Sequence, residues 1–138
     1  MEIWQTDSSG NYEWEYETGS YWAVPPSGKD NNFLYSGSAH TDNLGVFEFI
    51  TIMPSARADS APYINITAKR QGYDKLQSRI YFKGQPLNDY DSDFSELTED
   101  GKERLTVKSY SSPENSTTPR ILYYFPITLG GISPYKRF

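Results

Sequence analysis

Apolar and polar residues alternate in short runs along most of this chain, and almost no run has the spacing of a helix. Residues 46–52, VFEFITI, alternate well enough to form a strand, in which successive side chains point to opposite faces. The run YINITAKR puts Tyr63, Asn65 and Thr67 on one face and Ile64, Ile66 and Ala68 on the other. Further strand-like runs are MEIWQTD, SRIYF and RILYYFPITL. These runs, rich in β-branched and aromatic residues, predict an antiparallel all-β domain.

Turn-forming residues separate the runs. They are concentrated at residues 9–11, 25–28, 42–45, 71–72, 83–84, 113–115 and 130–131. One helix is predicted, over residues 99–108, with Thr98 as its N-cap and Gly101 as a weak point, and residues 18–38 are expected to form a long polar loop. The length fits a single domain over residues 1–138. Because the first residue already lies in a strand pattern, we expect the domain to lack strands that would precede it.

Composition narrows the classes of function. The chain carries 18 Asp and Glu against 13 Lys and Arg, a formal net charge of −5. This balance disfavours a sequence-independent nucleic-acid binder or a protein that binds anionic membranes, since both need a basic face. The chain has 0 cysteines, which excludes disulfides and metal sites built on sulfur. No run approaches the roughly 20 apolar residues of a membrane span, and the N-terminus has no signal-like pattern, so we expect a cytoplasmic protein.

Two polar groups have a chemical interpretation and a simpler one. His40 is the only histidine, but it lies beside the turn TDNLG and no nucleophile motif is present, so a solvated turn residue is the favoured interpretation. Basic residues surround the Gly72 turn. They are Lys69, Arg70, Lys75 and Arg79. With acidic residues around them and no phosphate-binding glycine loop nearby, a solvated hairpin is favoured over an anion site.

The run NDYDSDFSELTED contains three aspartates at the alternate spacing of a calcium loop. They are Asp89, Asp91 and Asp93. The sixth position of such a loop needs a glycine for its sharp turn, and this chain has Phe94 there. The twelfth position is Asp100 instead of glutamate. The run therefore disfavours a calcium site.

Four segments, taken together, carry a family resemblance. EIWQTDSSGNY, TDNLGVFEFITIMP, APYINI and SRIYFKGQPL occur in the order and spacing of the intradiol ring-cleavage dioxygenases, and the similarity covers about residues 2–87. The resemblance implies a β-sandwich of the intradiol dioxygenase type. It also implies the family's site, a non-haem ferric iron held by two tyrosines and two histidines.

Of these four implied ligands only Tyr12, in the Gly-x-Tyr turn, is retained. The other three positions hold Arg57, Tyr63 and Asn65. A guanidinium stays charged in a protein, so Arg57 brings a cation to a place where the family has an anionic ligand. Asn65 offers a neutral amide, a far weaker ligand for ferric iron than imidazole or phenolate. The resemblance therefore implies a vestigial site with no metal of its own.

A narrower resemblance concerns the α subunit of protocatechuate 3,4-dioxygenase, which carries no iron while its homologous β subunit does. The strand PYINI with Asn65, and Arg79 just before YF, are similar to α chains, as is the aromatic tail YKRF. Arg79 takes the place of the family's active-site glutamine, and Ser60 that of a substrate-binding arginine. An arginine of α chains that reaches the shared active site falls on Gln71, next to Arg70, so these two are the substrate-proximal candidates.

Three functions follow as hypotheses. The first is an α-type, non-iron subunit of a protocatechuate 3,4-dioxygenase-like enzyme, in a hetero-oligomer with an iron-bearing β subunit that acts on an aromatic dihydroxy acid and O2. The second is a stand-alone module of the same fold whose pocket, with Arg57 and Arg79, binds an aromatic or acidic small molecule. The third is an active dioxygenase with an unusual iron site.

Overall fold

The computed structural model describes residues 1–17, 28–110 and 121–130. Its main sheet is built from β1 (Glu2–Trp4), β2 (Ser36–Ser38), β3 (Tyr63–Ala68), β4 (Leu76–Phe82) and β5 (Thr106–Val107). The spatial order is β2-β1-β3-β4-β5. Neighbouring strands are antiparallel except β4 and β5, which are parallel. Two further short strands, β6 (Ser109–Tyr110) and β7 (Leu122–Tyr123), pair with each other.

The helices are short and lie between strands. They are α1 (Glu13–Glu17), a 3₁₀ helix (Pro86–Tyr90), α2 (Ser92–Ser95) and α3 (Glu99–Leu105). The predicted helix is confirmed as α3, and the Thr98 hydroxyl caps it by accepting a hydrogen bond from the Gly101 N–H at 3.0 Å. It ends before residue 108 because Thr106 turns into the extended backbone of β5. No helix in the described ranges has the length and apolar character needed to cross a membrane.

The central hairpin of β3 and β4 gives the sheet two unlike faces. Its register pairs Ile64 with Ile80 and Asn65 with Arg79, and directly opposite side chains lie on the same face. Ile64 and Ile66 are buried on one face, as the alternation predicts. The other face carries Asn65 and Arg79 and is the one that matters for function.

The apolar face holds the larger core. Its buried members are Ile3, Ile64, Ile66, Phe82 and Val107, and half-buried side chains from outside the sheet, including Phe47, Phe49, Phe125 and Ile127, pack against them. Full burial of a side chain of this size stabilises the fold by roughly 1.5–3 kcal/mol. Segments from two distant parts of the chain thus form a second layer over the sheet.

A smaller core covers part of the polar face. Tyr81, Ala61 and Phe94 are buried together there. The Asp91 carboxylate ties the two sides of this core, because it accepts hydrogen bonds from the Ala61 N–H at 2.8 Å and the Phe94 N–H at 3.0 Å. The start of β3 is therefore fixed to α2.

Several predicted elements differ from the structure. Residues 46–52 form no strand, so that prediction is wrong: Phe47 and Phe49 turn toward the core, but the backbone pairs with no strand among the described residues. Among the described residues of RILYYFPITL, 121–129, only β7 is a strand. The last three residues of the loop expected over 18–38 form a strand, β2, instead. Residues 18–27, 111–120 and 131–138, which hold the predicted turn at 113–115 and the YKRF tail, lie outside the described part of the chain.

Candidate functional site

Tyr12 follows a tight turn formed by the sequence DSSGN, the Asp7 turn. The Asp7 carboxylate accepts hydrogen bonds from the N–H groups of Ser9 at 2.8 Å and Asn11 at 3.2 Å. The Gly10 N–H donates to the Asp7 carbonyl at 3.1 Å, and the Asp7 N–H donates to the Asn11 carbonyl at 2.9 Å. Gly10 has φ +81°, which glycine adopts without steric cost. The turn thus fixes where the chain leaves toward Tyr12.

The Asp7 side chain is itself part of the interior, with only 2% of the residue exposed. The hydroxyls of Tyr16 and Tyr35 both donate to its carboxylate, that of Tyr35 at 2.8 Å. Burial alone would raise the pKa of the Asp7 carboxyl, but the hydrogen bonds from these phenols and from the backbone outweigh it and lower that pKa. The turn is therefore anchored by a buried, hydrogen-bonded carboxylate.

Arg57 comes from a segment that packs on the same turn. The Ser55 N–H donates to the Asp7 carbonyl at 3.3 Å. A Cβ added to Gly10 would lie 2.8 Å from the Ala56 carbonyl oxygen, so the close approach of the two segments requires glycine. Nη1 of Arg57 then donates to the Gly10 carbonyl at 3.2 Å. One turn thus positions both Tyr12 and Arg57.

The polar face of the sheet supplies the other side chains. Trp4 on β1, Asn65 on β3 and Arg79 on β4 are directly opposite one another in register and form one row across the sheet. Tyr63 and Tyr81 are paired in the adjacent row of the same face, with ring centroids 5.8 Å apart. Period-two alternation along each strand brings all of them to one surface.

Five of the residues singled out from the sequence meet at this surface, and we call them the phenol cluster. They are Tyr12, Arg57, Tyr63, Asn65 and Arg79. The hydroxyl oxygens of Tyr12 and Tyr63 are 3.4 Å apart, and Nδ2 of Asn65 donates to the Tyr12 hydroxyl at 3.1 Å. Cζ of Arg57 lies 5.3 Å from the Tyr12 ring centroid, and Cζ of Arg79 lies 4.2 Å from that of Tyr63. Each phenol ring therefore has a guanidinium against it.

Each guanidinium also has a carboxylate partner. Arg57 is paired with Glu15. Burial alone would raise the pKa of the Glu15 carboxyl, but the hydrogen bonds from Arg57 and from the Tyr12 N–H, with the charge of Arg57, outweigh it and lower that pKa. Arg79 is paired with Asp93 at 2.8 Å and donates to the Tyr81 hydroxyl at 3.4 Å. The cluster is thus a network of phenols and paired cations.

The sequence and the structure of this chain were compared with those of known proteins. No protein-family model matches the chain. Over 139 residues the chain is 27% identical to the protocatechuate 3,4-dioxygenase β chain of Burkholderia cepacia, an alignment that covers 95% of this chain and 56% of that protein. In structure it resembles the 3-chlorocatechol 1,2-dioxygenase of Rhodococcus opacus 1CP, with a TM-score of 0.70 at 19% identity over 95% of this chain and 52% of the other. It resembles catechol 1,2-dioxygenase from Acinetobacter sp. ADP1 to the same degree, with a TM-score of 0.70 at 21% identity over 96% of this chain and 46% of the other.

The chain has the intradiol dioxygenase fold. The fold class inferred from the sequence is confirmed, with the parallel pairing of β4 and β5 as the exception to an antiparallel sheet. The chain spans about half the length of the relatives it matches. The relative found by sequence is a β chain, so a particular closeness to the α subunit is not supported.

The residues of the phenol cluster do not fit the ferric iron that the family resemblance implies. Arg57, at one ligand position, lies against Tyr12 and is already paired with Glu15. Asn65, at another ligand position, is a neutral amide whose Nδ2 donates to the hydroxyl of Tyr12, the one retained ligand. Within residues 1–17, 28–110 and 121–130, no three His, Cys, Asp or Glu side chains are grouped to hold a metal ion.

Two candidates from the sequence lie away from the phenol cluster. Gln71 and Arg70 are exposed at the tip of the β3–β4 hairpin, beyond its last pair, where Cζ of Arg70 lies 4.9 Å from the Tyr73 ring centroid. At about 3.3 Å per residue along a strand, Arg70 is roughly 16 Å from Asn65. The structure therefore does not bring these two residues to the cluster within this chain.

Ser60 lies next to the cluster, in the wall of a cleft. Its N–H donates to the Arg57 carbonyl at 3.2 Å. The cleft has a volume of about 490 Å³ and opens to solvent. It is lined by Ser9, Gly10, Asn11, Ala56, Arg57, Ala58, Asp59 and Ser60. The cleft thus lies between the Asp7 turn and the segment that contains Arg57.

The remaining polar candidates from the sequence, the aspartates of the calcium-like run and the histidine, either stabilise the fold or are exposed to solvent. Asp91 caps α2, Asp93 pairs with Arg79, and Asp89 is exposed, so the spacing that resembles a calcium loop serves a helix cap and an ion pair. His40 is exposed in the loop after β2. His40 thus matches the solvated turn residue that the sequence favoured.

Sequence reasoning missed the role of three acidic residues that organise the cluster. Asp7 carries a signal that was available, a D-x-x-G turn before the retained tyrosine. Glu15 also has one: it lies three residues after Tyr12, and its carboxylate accepts a hydrogen bond from the Tyr12 N–H at 3.0 Å, as in a capping box. Asp93 has no such signal, because its partner Arg79 comes from a different element.

Proposed function

We propose that this chain is an iron-free subunit of an intradiol dioxygenase-like enzyme, and that it takes the α-type role beside a homologous, iron-bearing β-type subunit. The reaction that this role implies is the cleavage of protocatechuate by O2 to 3-carboxy-cis,cis-muconate. Both oxygen atoms enter between the two hydroxyl-bearing carbons, and the partner's ferric iron supplies the chemistry. This chain contributes structure and part of the wall around the substrate.

One observation carries the proposal: the donor set of the phenol cluster suits no ferric ion, although the cluster lies on an intradiol dioxygenase fold. Arg57 is a permanent cation, and Asn65 is a neutral amide that already donates to Tyr12. To take part in the family's reaction, a chain with this fold and without its own iron needs a partner that has the metal. The similarity to the β chain of a protocatechuate 3,4-dioxygenase supports the choice of enzyme class.

The test is metal analysis with a visible spectrum, on the chain purified alone and again after co-expression with an iron-bearing homologue. We expect the chain alone to be colourless and iron-free, because its cluster offers no complete set of anionic and imidazole ligands. We expect the co-expressed complex to contain iron, to be coloured by tyrosinate-to-iron charge transfer, and to consume O2 with protocatechuate.

The matched control is the triple variant Arg57→Tyr, Tyr63→His, Asn65→His, which restores the implied ligand set around Tyr12. This variant should take up about one ferric ion per chain and become coloured, provided that its circular dichroism spectrum matches that of the parent. Iron bound by the unmodified chain would refute the proposal. So would failure of the unmodified chain to associate with any iron-bearing homologue.

A second candidate function is a stand-alone module that binds an aromatic or acidic small molecule. The cleft beside Arg57 favours it, because the guanidinium lies in a wall open to solvent. Binding of such a molecule by the chain alone, with no partner and no metal, distinguishes this candidate from the first.

A further inference from the structure

Residues 46–52, which we call the outer segment, have the side-chain pattern of a strand although they pair with no strand among the described residues. Phe47 and Phe49 both pack against the core of the sheet, with ring centroids 6.0 Å apart. Glu48, between them, and Ile50, after them, are exposed. Side chains alternate between two faces in this way when the backbone is extended. The outer segment therefore lies on the sheet as an extended chain.

The backbone of the outer segment has hydrogen-bonding groups to offer to another chain. In the described part of the protein, its main chain is bonded only at the two ends: the Val46 N–H and carbonyl bond to Asp42, and the Ile52 carbonyl accepts from a glutamine side chain. The N–H and carbonyl groups of residues 47–51 bond to no described residue. A row of such groups is a template for pairing with a second extended chain.

The outer segment also lacks the features that keep an exposed edge from pairing. Proteins protect such edges with lysine, proline or a bulge. The sequence VFEFITI contains neither lysine nor proline. Its outward side chains include Val46, Ile50 and Ile52, which are 57%, 70% and 39% exposed. Exposed β-branched residues on an unprotected edge mark a surface that another chain covers.

We propose that the outer segment pairs antiparallel with the outer segment of a second copy of this chain, about a two-fold axis at Phe49. This register pairs the whole segment with itself. It also preserves the period of two, so that Phe47 and Phe49 face the core side in both copies. The outward residues of one copy then lie beside the outward residues of the other.

The single charge of the outer segment supports a second copy as the partner. With the axis at Phe49, Glu48 lies opposite Ile50 of the second copy, and the two carboxylates do not meet. With the axis at Glu48, the pairing is shorter and the carboxylates are directly opposite each other, which is destabilising. The register with the longest pairing is thus also free of charge repulsion, so the segment is complementary to itself.

This interface lies away from the phenol cluster. The outer segment covers the apolar face of the main sheet, whereas the cluster lies on the polar face. Pairing would join the second layers of two copies and leave both clusters uncovered. The inference therefore goes beyond the proposed function and does not depend on it.

The test is sedimentation velocity of the parent chain and three variants over an about hundredfold range of concentration. We expect the parent to show a monomer–dimer equilibrium. Ile50→Glu places a carboxylate opposite Glu48 at both symmetric positions, and Ile50→Lys places an ammonium there. The Ile50→Lys dimer should therefore be about tenfold tighter than the Ile50→Glu dimer. Tyr90→Glu changes the net charge as Ile50→Glu does, at an exposed site on the 3₁₀ helix, and should leave the equilibrium unchanged.

Three outcomes of this experiment overturn the proposal. The first is a parent chain that stays monomeric at every concentration. The second is a continuous series of aggregates, because pairing about a two-fold axis closes at the dimer. The third is a dimer of equal affinity in Ile50→Glu and Ile50→Lys, since only the register about Phe49 sets residue 50 against Glu48.

Hydrogen exchange locates the pairing within the dimer. Alternate N–H groups of residues 47–51 gain carbonyl acceptors in an antiparallel pair. Peptides that contain the outer segment should exchange more slowly at concentrations where the dimer dominates, whereas peptides from the tip of the β3–β4 hairpin, residues 69–75, should exchange equally in both states. A dimer in which the outer segment exchanges as fast as in the monomer contradicts the proposal.

The two proposals fail separately in these experiments. A chain that stays monomeric alone but associates with an iron-bearing homologue refutes the second copy and leaves the proposed function standing. A chain that dimerises as expected but associates with no homologue refutes only the proposed function.

Discussion

Two turns in this chain share one sequence pattern and one backbone, and only one of them builds a site. The turn formed by DNLGV, which we call the Asp42 turn, repeats the hydrogen bonds of the Asp7 turn. The Asp42 carboxylate accepts from the N–H groups of Leu44 and Val46, each at 2.9 Å. Gly45 has φ +78°, close to the +81° of the glycine in the Asp7 turn. D-x-x-G-x therefore specifies the same local structure twice.

The difference lies in what surrounds the two turns. Asp7 is buried under Tyr16 and Tyr35, whereas Asp42 is exposed. A Cβ on Gly10 would meet the backbone of the neighbouring segment at 2.8 Å, and one on Gly45 would meet nothing within 4 Å. Local sequence thus specifies a turn, and residues distant in the sequence decide whether that turn positions a functional side chain.

The largest expected difference is between Asp7→Ala and Asp42→Ala. Removing the Asp7 carboxylate leaves the hydroxyls of Tyr16 and Tyr35 without their acceptor in the interior, so we expect the free energy of unfolding to fall by roughly 3–5 kcal/mol. Asp42→Ala loses only solvated hydrogen bonds and should cost about 1 kcal/mol. Urea denaturation of both variants measures this. Equal losses would show that the phenols contribute nothing to the Asp7 turn.

A smaller difference separates Gly10→Ala from Gly45→Ala. Both positions have positive φ, so alanine costs about 1 kcal/mol at either one. Gly10→Ala adds the contact with the Ala56 carbonyl oxygen, and we expect a total loss of roughly 2–3 kcal/mol in the free energy of unfolding. The same urea denaturation measures it. If the two variants lose equally, the close approach of the segments at Gly10 is not a constraint.

How far the sequence could predict the fold depends on how local each feature is. Alternation located β3 because its apolar residues meet one core, and the Thr98 cap located α3 because capping is a local bond. The same reasoning was wrong for residues 46–52. Phe47 and Phe49 alternate because they pack on the sheet, and a side-chain pattern does not specify a backbone partner.

Those parts of the site that follow from strand register or from the resemblance to the intradiol dioxygenases could be predicted from the sequence. Asn65 and Arg79 are adjacent because register pairs them, and the resemblance placed Tyr12, Arg57 and Tyr63 with them. The ion pairs were not predictable, because Glu15 and Asp93 reach their arginines from separate elements through side-chain conformations that no sequence pattern records.

The smallest predicted effect is the pH dependence that the Asp7 turn adds. The pKa of Asp7 is lowered from its ordinary 3.8 in the folded chain, so the unfolded chain takes up this proton more readily. The stability that Asp7 contributes is therefore complete above pH 3.8 and is lost as the pH falls through the lower, folded value. Chemical denaturation at a series of pH values should show the stability gap between the parent chain and Asp7→Asn narrowing below that point. The same series with Asp42→Asn separates the effect of the two phenols from that of the shared turn. If the difference in free energy of unfolding between the parent chain and Asp7→Asn stays constant with pH, the role assigned to the buried carboxylate is contradicted.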